Sequence, residues 1–301
     1  MTEPTSAIAG TVETPWRRFA ADFLDSRLAV AGLALLATVL FVALFAPVIS
    51  PQNPYDLSRL DIMDAKLPPG AQSLDGQTFL LGTDDQGRDM LSAIFYGLRI
   101  SLGVGVLSTL LALGLGLTVG LVAGYFGGKT DAAIMRLVDL QLSFPAILIA
   151  LILLAVLGQG VDKIVVALVT VQWAYYARTV RGAVLVERSR EYVEAAMGLQ
   201  LPTVRILFRH LLPNVMPPLI VVATVQVAHA IALEATLSFL GLGMPITSPS
   251  LGLLISNGFT YLLSGKYWIS FFPGIALLVT IVGINLVGDQ LRDVLNPRLQ
   301  K

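Results

Sequence analysis

Cysteine is absent from this chain of 301 residues, and histidine occurs only twice, as His210 and His229. The absence of cysteine excludes disulfides, thiolate metal sites and thiol nucleophiles, and two histidines are too few for most metal clusters. The sequence therefore predicts a protein with little chemistry of its own.

Charge is also scarce. Only 13% of the residues are charged, against roughly 25% in an ordinary soluble protein, and 55% are hydrophobic. Twenty Lys and Arg residues balance twenty Asp and Glu residues, so the formal net charge is zero. Without an overall positive field, nucleic-acid binding is not expected. The composition excludes a soluble enzyme and favours an integral membrane protein.

Long apolar runs are abundant. Because a helix of about 20 apolar residues can cross a bilayer, the runs predict six membrane-spanning helices at residues 28–49, 100–126, 140–157, 164–177, 215–240 and 268–287. The first run lacks the cleavage site of a secretory signal peptide and is interpreted as a retained helix. The fourth is short, and Gln172, Trp173, Tyr175 and Tyr176 are predicted to form its interfacial end.

Lysine and arginine are distributed unevenly between the connections. If the amino terminus is cytoplasmic, 14 of them lie on the cytoplasmic side and six outside, so the positive-inside rule places both termini in the cytoplasm. The predicted domains, in chain order, are a cytoplasmic segment (1–27), a first helix (28–50), a periplasmic loop with an amphipathic helix (51–99), a five-helix core (100–290) with a cytoplasmic loop (178–213), and a cytoplasmic tail (291–301).

The last part of the periplasmic loop, residues 88–99, has helical periodicity. Its apolar residues fall on one face, which consists of Met90, Leu91, Ile94, Phe95 and Leu98. Such a face predicts either a helix along the outer membrane surface or a short helix packed on the protein's own spans. The pattern does not separate these two alternatives.

The cytoplasmic loop at residues 178–213 contains six arginines. It is expected to form two short helices, 191–199 and 202–211, separated by a break at residues 200–202. Proline is tolerated at the start of the second helix, and Pro213 is predicted to stop that helix before the fifth span. A basic helical hairpin on the inner surface fits either lipid headgroups or a protein partner.

Several motifs occur in a fixed order along the chain. They are Glu194-Ala195-Ala196 followed by Leu212-Pro213, together with LGTDDQGRD at 81–89, YGLRISL at 96–102, AGYFGG at 123–128, SFP at 143–145, LSFLGLG at 237–243 and GDQLRD at 288–293. In order and spacing they resemble the second permease subunit of the dipeptide/oligopeptide branch of binding-protein-dependent ABC importers. The resemblance covers most of the chain from Leu81 onward, and the first two motifs resemble the cytoplasmic EAA loop of those permeases.

The resemblance implies an all-α integral membrane protein with six transmembrane helices, of which the last five form a type I (MetI-like) ABC importer permease core. It also implies that the EAA loop couples the chain to an ATPase. The residues concerned are Glu191, Glu194, Ala195, Ala196, Gly198, Gln200, Leu212 and Pro213. Small alanines permit close approach, and a rigid docked loop can transmit a movement to the fifth span.

Two positions depart from the family pattern. Gln200 stands where the motif usually has glycine, and His210 stands where it usually has isoleucine. Glutamine adopts a left-handed backbone less readily than glycine. The turn chemistry is therefore expected to differ at Gln200.

Glycines in and directly after the second span form two further patterns. The segment Gly127-Gly128-Lys129-Thr130 is similar to part of a phosphate-binding loop, but Ala123 occupies the position of the required first glycine. It is interpreted as a tight turn. No cofactor is expected in this chain, and ATP and magnesium are expected on partner ATPase subunits.

The stripe Gly116, Gly120 and Gly124 predicts close packing of another helix.

The fifth span contains three polar residues, Gln226, His229 and Glu234. Ionisable groups inside a membrane are energetically unfavourable and often mark a functional pathway. These residues are predicted to line the translocation pathway, with Glu234 near its outer mouth. The alternative is a hydrogen-bonding role between helices.

The resemblance further implies import of di- or oligopeptides across the bacterial inner membrane, without catalysis by this chain. The implied partners are a homologous second permease, two cytoplasmic ATPases, an external solute-binding protein and membrane lipid, with no nucleic acid. Nickel and glutathione are also associated with this branch, so the substrate stays open. A secondary carrier and a noncatalytic scaffold are the alternatives, and a carrier is disfavoured because the sequence has no recognisable inverted repeat or charged coupling-ion site.

Overall fold

The computed structural model describes residues 15–295 apart from residues 57, 59, 74, 75 and 249. The parts of the predicted terminal segments at 1–14 and 296–301 lie outside the described residues. The helices are α1 (Pro15–Leu24), α2 (Arg27–Ile49), α3 (Met90–Phe126), α4 (Gly128–Leu142), α5 (Ala146–Leu157), α6 (Val161–Arg188), α7 (Glu191–Gly198), α8 (Thr203–Arg205), α9 (Leu212–Phe239), α10 (Leu251–Phe259) and α11 (Trp268–Leu295).

The only strands in the described part of the chain are β1 (Ala71–Gln72) and β2 (Thr78–Phe79), which pair antiparallel with Ala71 opposite Phe79. Single 3₁₀ turns occur at Ile62–Asp64 and Leu262–Ser264. The prediction of an all-α protein is confirmed, because the strands are only two residues long.

Among the described residues, four helical segments are long and apolar enough to cross a membrane: α2, α3, the continuous segment Thr203–Phe239, and α11. The pair α4 and α5, bent by 86°, forms a fifth span if the two are taken together. α6 has 28 residues, but charged residues such as Arg178 and Arg181 make it more polar than the other spans. The predicted number of six spans is therefore not confirmed.

Glycines bring α3 and α6 into close parallel contact. Cβ atoms placed at Gly116, Gly120 and Gly124 would lie 2.4, 2.6 and 2.8 Å from the Cβ atoms of Tyr176, Val180 and Val184. Any larger residue would push the two helices apart, because native interiors are closely packed. This contact confirms that the glycine stripe serves helix packing.

α9 packs antiparallel to α3 and beside α11. Gly105 of α3 leaves room for Ile231 of α9, and Gly288 of α11 leaves room for Thr224 of α9. On the other side of α11, α2 packs closely through Gly32. α3, α6, α9 and α11 therefore form the centre of the fold, with α2 at its edge.

α3 is one helix of 37 residues. At about 1.5 Å per residue it is about 55 Å long, well beyond the hydrocarbon core of about 30 Å. The helix predicted at residues 88–99 is the first part of α3, and its residues Met90, Ile94 and Leu98 are buried in a core that includes Leu251 and Trp268. The surface-lying alternative is wrong, and the boundary predicted at residue 99 falls inside a helix, because this apolar face is covered by the protein itself.

The connection between α2 and α3 is fixed on this core by buried polar groups. Arg88 and Asp84 form an ion pair whose side chains are fully buried. Arg88 Nη1 also donates a hydrogen bond to the carbonyl of Ile246 (3.0 Å), and Trp268 Nε1 donates one to the carbonyl of Thr83 (3.1 Å). Removing one partner of a buried ion pair is strongly destabilising, so we expect this connection to be rigid.

Candidate functional site

The segment Glu191–Leu211, which we call the coupling hairpin, begins with α7. Glu191, Glu194 and Ala195 are exposed on one side of this helix. Val193 and Ala196 are buried on the other side, in a core shared with Ile206 and Leu211. The structure therefore separates the two alanines of the motif, since Ala195 is available to a partner and Ala196 holds the hairpin together.

The turn after α7 contains a left-handed residue. Gln200 has φ 54°, a conformation in which glycine is strongly favoured. The N–H of Gln200 donates to the carbonyl of Met197 (2.9 Å), and the N–H of Leu201 donates to the carbonyl of Ala196 (3.2 Å). These two bonds form a Schellman motif. The position thus has a glycine-type turn although the residue is glutamine, whereas Gly198 lies inside α7 without a positive φ.

The second arm of the hairpin continues into the membrane helix. α8 leads into a π-helical segment, Ile206–Leu211, in which the N–H of Leu212 donates to the carbonyl of Leu207. α9 follows without interruption, so the helical path from Thr203 to Phe239 is continuous. The prediction that Pro213 stops the helix is wrong. Proline is tolerated in the first turn of α9 because the wider π turn before it relieves the clash that breaks an ordinary helix.

Three apolar side chains of the hairpin are exposed. Leu199, Val204 and Phe208 are 75%, 66% and 60% exposed, and Arg205 and Arg209, which follow Val204 and Phe208 directly in the chain, are exposed as well. The sequence interpretation did not single out these three apolar residues. The sequence did contain a pattern that indicates two of them. Val204 and Phe208 are four residues apart in a basic segment outside the apolar runs and therefore share a helix face.

A cavity of about 630 Å³ opens between α5, α6, α9 and α11. Gln226 and His229 of α9 both line it. Gln226 is buried, whereas His229 is exposed. The structure therefore brings together two of the three polar residues predicted for the pathway.

Four further polar residues line this cavity: Gln172 and Tyr175 of α6, Thr236 of α9 and Asn285 of α11. Gln172 is almost fully buried, and its Nε2 donates a long hydrogen bond (3.4 Å) to the carbonyl of Gln226. The interfacial position predicted for Gln172 and Tyr176 is wrong, because α6 continues to Arg188 and both residues are buried inside the helix bundle.

Glu234 is not among the residues that line the cavity. Its side chain is completely buried and accepts hydrogen bonds from Ser101 Oγ of α3 (2.8 Å) and from Ser238 Oγ one turn later in α9 (2.7 Å). Glu234 therefore connects α3 to α9 in this structure. It lies further along α9 than Gln226 and His229.

Comparison with known proteins identifies this arrangement. The family model described as "Binding-protein-dependent transport system inner membrane component" matches residues 116–301, and the model for the "N-terminal TM domain of oligopeptide transport permease C" matches residues 14–69. The chain belongs to this family of inner membrane transport components. It is a multi-pass permease of a transport system rather than an enzyme.

Similar proteins cover the permease over nearly its whole length. The di/tripeptide transport system permease protein DppC of Pseudomonas aeruginosa is 37% identical and aligns over 99% of this chain and 97% of its own. The oligopeptide transport system permease protein OppC of Bacillus subtilis is also 37% identical, over 100% and 98%. The dipeptide transport system permease protein DppC of Escherichia coli is 41% identical, over 96% and 95%.

A solved structure shares the fold of the permease. A chain of the MetNI methionine ABC transporter in an inward-facing conformation matches with a TM-score of 0.56 at 20% identity, over 69% of this chain and 98% of that chain. This likeness confirms the MetI-like core that the motifs predicted.

Proposed function

We propose that the permease is one subunit of an ATP-driven importer of di- or oligopeptides. The observation that carries the proposal is the continuous helical segment Thr203–Phe239, which begins in the exposed coupling hairpin and passes beside the membrane cavity. A movement applied at the hairpin therefore has a direct path to the cavity. The names of the relatives, which are peptide permeases, support peptides as the cargo.

In this proposal the coupling hairpin is the docking site of a cytoplasmic ATPase. Glu191, Glu194 and Ala195 face the ATPase from α7, and Gly198 and Gln200 shape the tip. Leu212 and Pro213 join the hairpin to α9. Leu199, Val204 and Phe208 favour a protein partner over lipid headgroups, because clustered apolar side chains in water mark protein contacts.

The cavity is the proposed translocation pathway. Gln226 and His229 line it together with Gln172 and Asn285, and these polar groups can replace water around the backbone amides and charged ends of a peptide. Glu234 supports the pathway indirectly, by fixing α9 on α3 through Ser101.

The complete transporter would contain a homologous second permease, two ATPases that bind ATP and magnesium, and an external solute-binding protein. The chain would lie in the bacterial inner membrane with both termini in the cytoplasm. Nickel and glutathione remain the alternative cargoes, and a secondary carrier is the alternative mechanism.

The test is uptake by vesicles that contain the purified complex of this chain with the subunits that co-purify with it and the loaded binding protein. We expect accumulation of a labelled dipeptide that requires ATP, and competition by unlabelled di- and oligopeptides but not by Ni²⁺. Competition by glutathione alone, or uptake of Ni²⁺, would replace the peptide assignment. Accumulation driven by an ion gradient without ATP would instead support a carrier.

A further inference from the structure

Three polar side chains meet where α6, α7 and α9 come together. Tyr192 of α7 donates a hydrogen bond from Oη to Glu187 Oε2 in the last turn of α6 (2.6 Å). Asn214 Nδ2, in the first turn of α9, donates to Tyr192 Oη (3.0 Å). We call Glu187, Tyr192 and Asn214 the tyrosine bridge.

The bridge is anchored at both ends. Asn214 Nδ2 also donates to the carbonyl of His210 (2.7 Å), in the π-helical segment that leads into α9. Glu187 lies one residue before the end of α6, and only Ser189 and Arg190 separate α6 from α7. A two-residue connection is a natural pivot, so the angle between α6 and α7 depends on the contacts that cross it.

Apolar packing and hydrogen bonds act together on this angle. Val193 and Ala196 bury one face of α7, but hydrophobic contacts are not directional. The two hydrogen bonds of Tyr192 are directional, and one of them joins α7 to α6 while the other joins it to α9. Tyr192 is thus bonded to two of the three helices that carry polar residues of the cavity, since Gln172 lies on α6, Gln226 on α9 and Asn285 on α11.

The hydroxyl of Tyr192 is a constant donor, although the side chain is 40% exposed. Burial, together with the hydrogen bond to Glu187, raises the pKa of Tyr192 to about 12. The hydroxyl therefore stays protonated at neutral pH and donates to Glu187 Oε2.

We propose that Tyr192 is a positioning residue for energy coupling, which makes α6 and α9 follow every movement of the docked hairpin. The proposal rests on the proposed function of the hairpin, and it adds that the movement reaches two sides of the cavity rather than one. Without the bridge, α7 would turn about Ser189 and Arg190 while the ATPase completes its cycle.

The test compares Tyr192→Phe with the wild-type chain in the reconstituted complex. Phenylalanine keeps the ring and removes both hydrogen bonds. We expect the ATPases to remain bound and to hydrolyse ATP, while the number of peptides imported per ATP falls roughly tenfold, equivalent to about 1.4 kcal/mol of coupling. Tyr125→Phe is the matched control, because the Tyr125 ring lies near the Arg188 guanidinium at the same end of the molecule (5.8 Å) and phenylalanine keeps that ring.

Two variants of Glu187 separate positioning from general structural damage. Glu187→Gln retains an oxygen that can accept the tyrosine hydroxyl and should restore most of the coupling. Glu187→Leu should resemble Tyr192→Phe. Combined with Tyr192→Phe, it should add little further loss, because two residues that act through one bond are not additive.

Two results would overturn the proposal. Tyr192→Phe could import as many peptides per ATP as the wild type, which would show that the bridge transmits nothing. Alternatively, it could lose the ATPases, which would make Tyr192 part of the docking contact instead. Failure of the proposed function itself is recognised separately, since the wild-type complex would then show no ATP-dependent uptake of peptide.

Discussion

At the scale of single residues, the tip of the coupling hairpin shows how a backbone can keep a turn that its residue does not favour. Gln200 adopts φ 54°, and a non-glycine residue in this region costs on the order of 1 kcal/mol. The two Schellman hydrogen bonds and the buried Ala196 hold the turn in place.

Replacing Gln200 with glycine should therefore stabilise the hairpin. We expect Gln200→Gly to raise the free energy of unfolding by up to about 1 kcal/mol, and Gln200→Ala, which retains the Cβ atom, to give no gain. Thermal unfolding of the purified complex measures this, with protection of the α7 amides from hydrogen exchange as the local readout. Equal stability of the glycine and alanine variants would mean that the left-handed turn is not strained.

Glu234 is the second residue whose surroundings decide its role. Glu234→Gln keeps polar atoms opposite Ser101 and Ser238, whereas Glu234→Leu leaves both serine hydroxyls without their partner. An unsatisfied buried hydroxyl costs about 1–3 kcal/mol, so the leucine variant should lose the assembled complex at a lower temperature than the glutamine variant. This is measured by size-exclusion chromatography after heating.

Glu234→Gln also tests the pathway hypothesis directly. If this variant assembles normally but no longer imports peptide, Glu234 takes part in conduction and the supporting role is wrong. If the variant assembles and transports peptide, the hydrogen bonds between α3 and α9 account for the presence of Glu234 in the membrane.

The sequence could predict the residue types of the site but not their orientation. Ala195 and Ala196 are adjacent and identical, and only the packing of α7 on Ile206 and Leu211 shows that one is exposed and the other buried. Asn285 could not be connected with Gln226 from the sequence, because it lies in another helix about 60 positions away and a single sequence carries no contact information.

At the scale of whole elements, the close pairing of α3 and α6 depends on the absence of side chains. A Cβ atom at Gly120 would lie 2.6 Å from both the carbonyl oxygen of Ala177 and the Cβ atom of Val180. Backbone atoms cannot move aside as the end of a flexible side chain can, so the contact tolerates no larger residue.

Gly120→Leu should separate α3 from α6 and prevent a stable fold, since overpacking typically costs about 1–3 kcal/mol and more where the backbone must move. Gly114→Leu is the control in the same helix, because a Cβ atom there meets no described atom within 4 Å. Yield of monodisperse protein in detergent measures both variants. Similar yields would contradict the close packing of these helices.

Apolar runs predicted where helices lie but not where they end. The sequence placed boundaries at residues 99 and 213, whereas the helical segments Met90–Phe126 and Thr203–Phe239 continue through them. A hydropathy pattern marks the part of a helix that lies in lipid, and it cannot show that the same helix extends into water. The sequence could not predict that Pro213 is tolerated within a continuous helix, because the π turn before it has no recognisable sequence signal.

At the scale of the whole molecule, the orientation in the membrane depends on the uneven distribution of lysine and arginine. The absence of cysteine allows a direct check, since any introduced thiol is unique. Gln72 and Ser189 are exposed positions in the two long connections. In intact cells we expect Gln72→Cys to react with a membrane-impermeant maleimide, and Ser189→Cys to react only after permeabilisation; the reverse pattern would remove the hairpin from the cytoplasm.

In the proposed coupling, energy enters through the exposed side of α7 and leaves as movement of peptide. Ala195→Asp tests it most directly, because this residue is exposed and the substitution leaves the hairpin core intact, whereas Ala196→Asp would bury a charge within the chain itself.

The measurement is ATP-dependent uptake of labelled dipeptide, together with the amount of ATPase retained, in one purified complex that carries Ala195→Asp, with Ala195→Ser as the control. We expect the aspartate variant to keep its fold and to lose both the ATPases and at least about nine-tenths of the uptake, because an unpaired charge buried in a contact costs about 3–5 kcal/mol. The serine variant should keep both. Wild-type uptake by the aspartate variant, with the ATPases still bound, would contradict the proposed coupling.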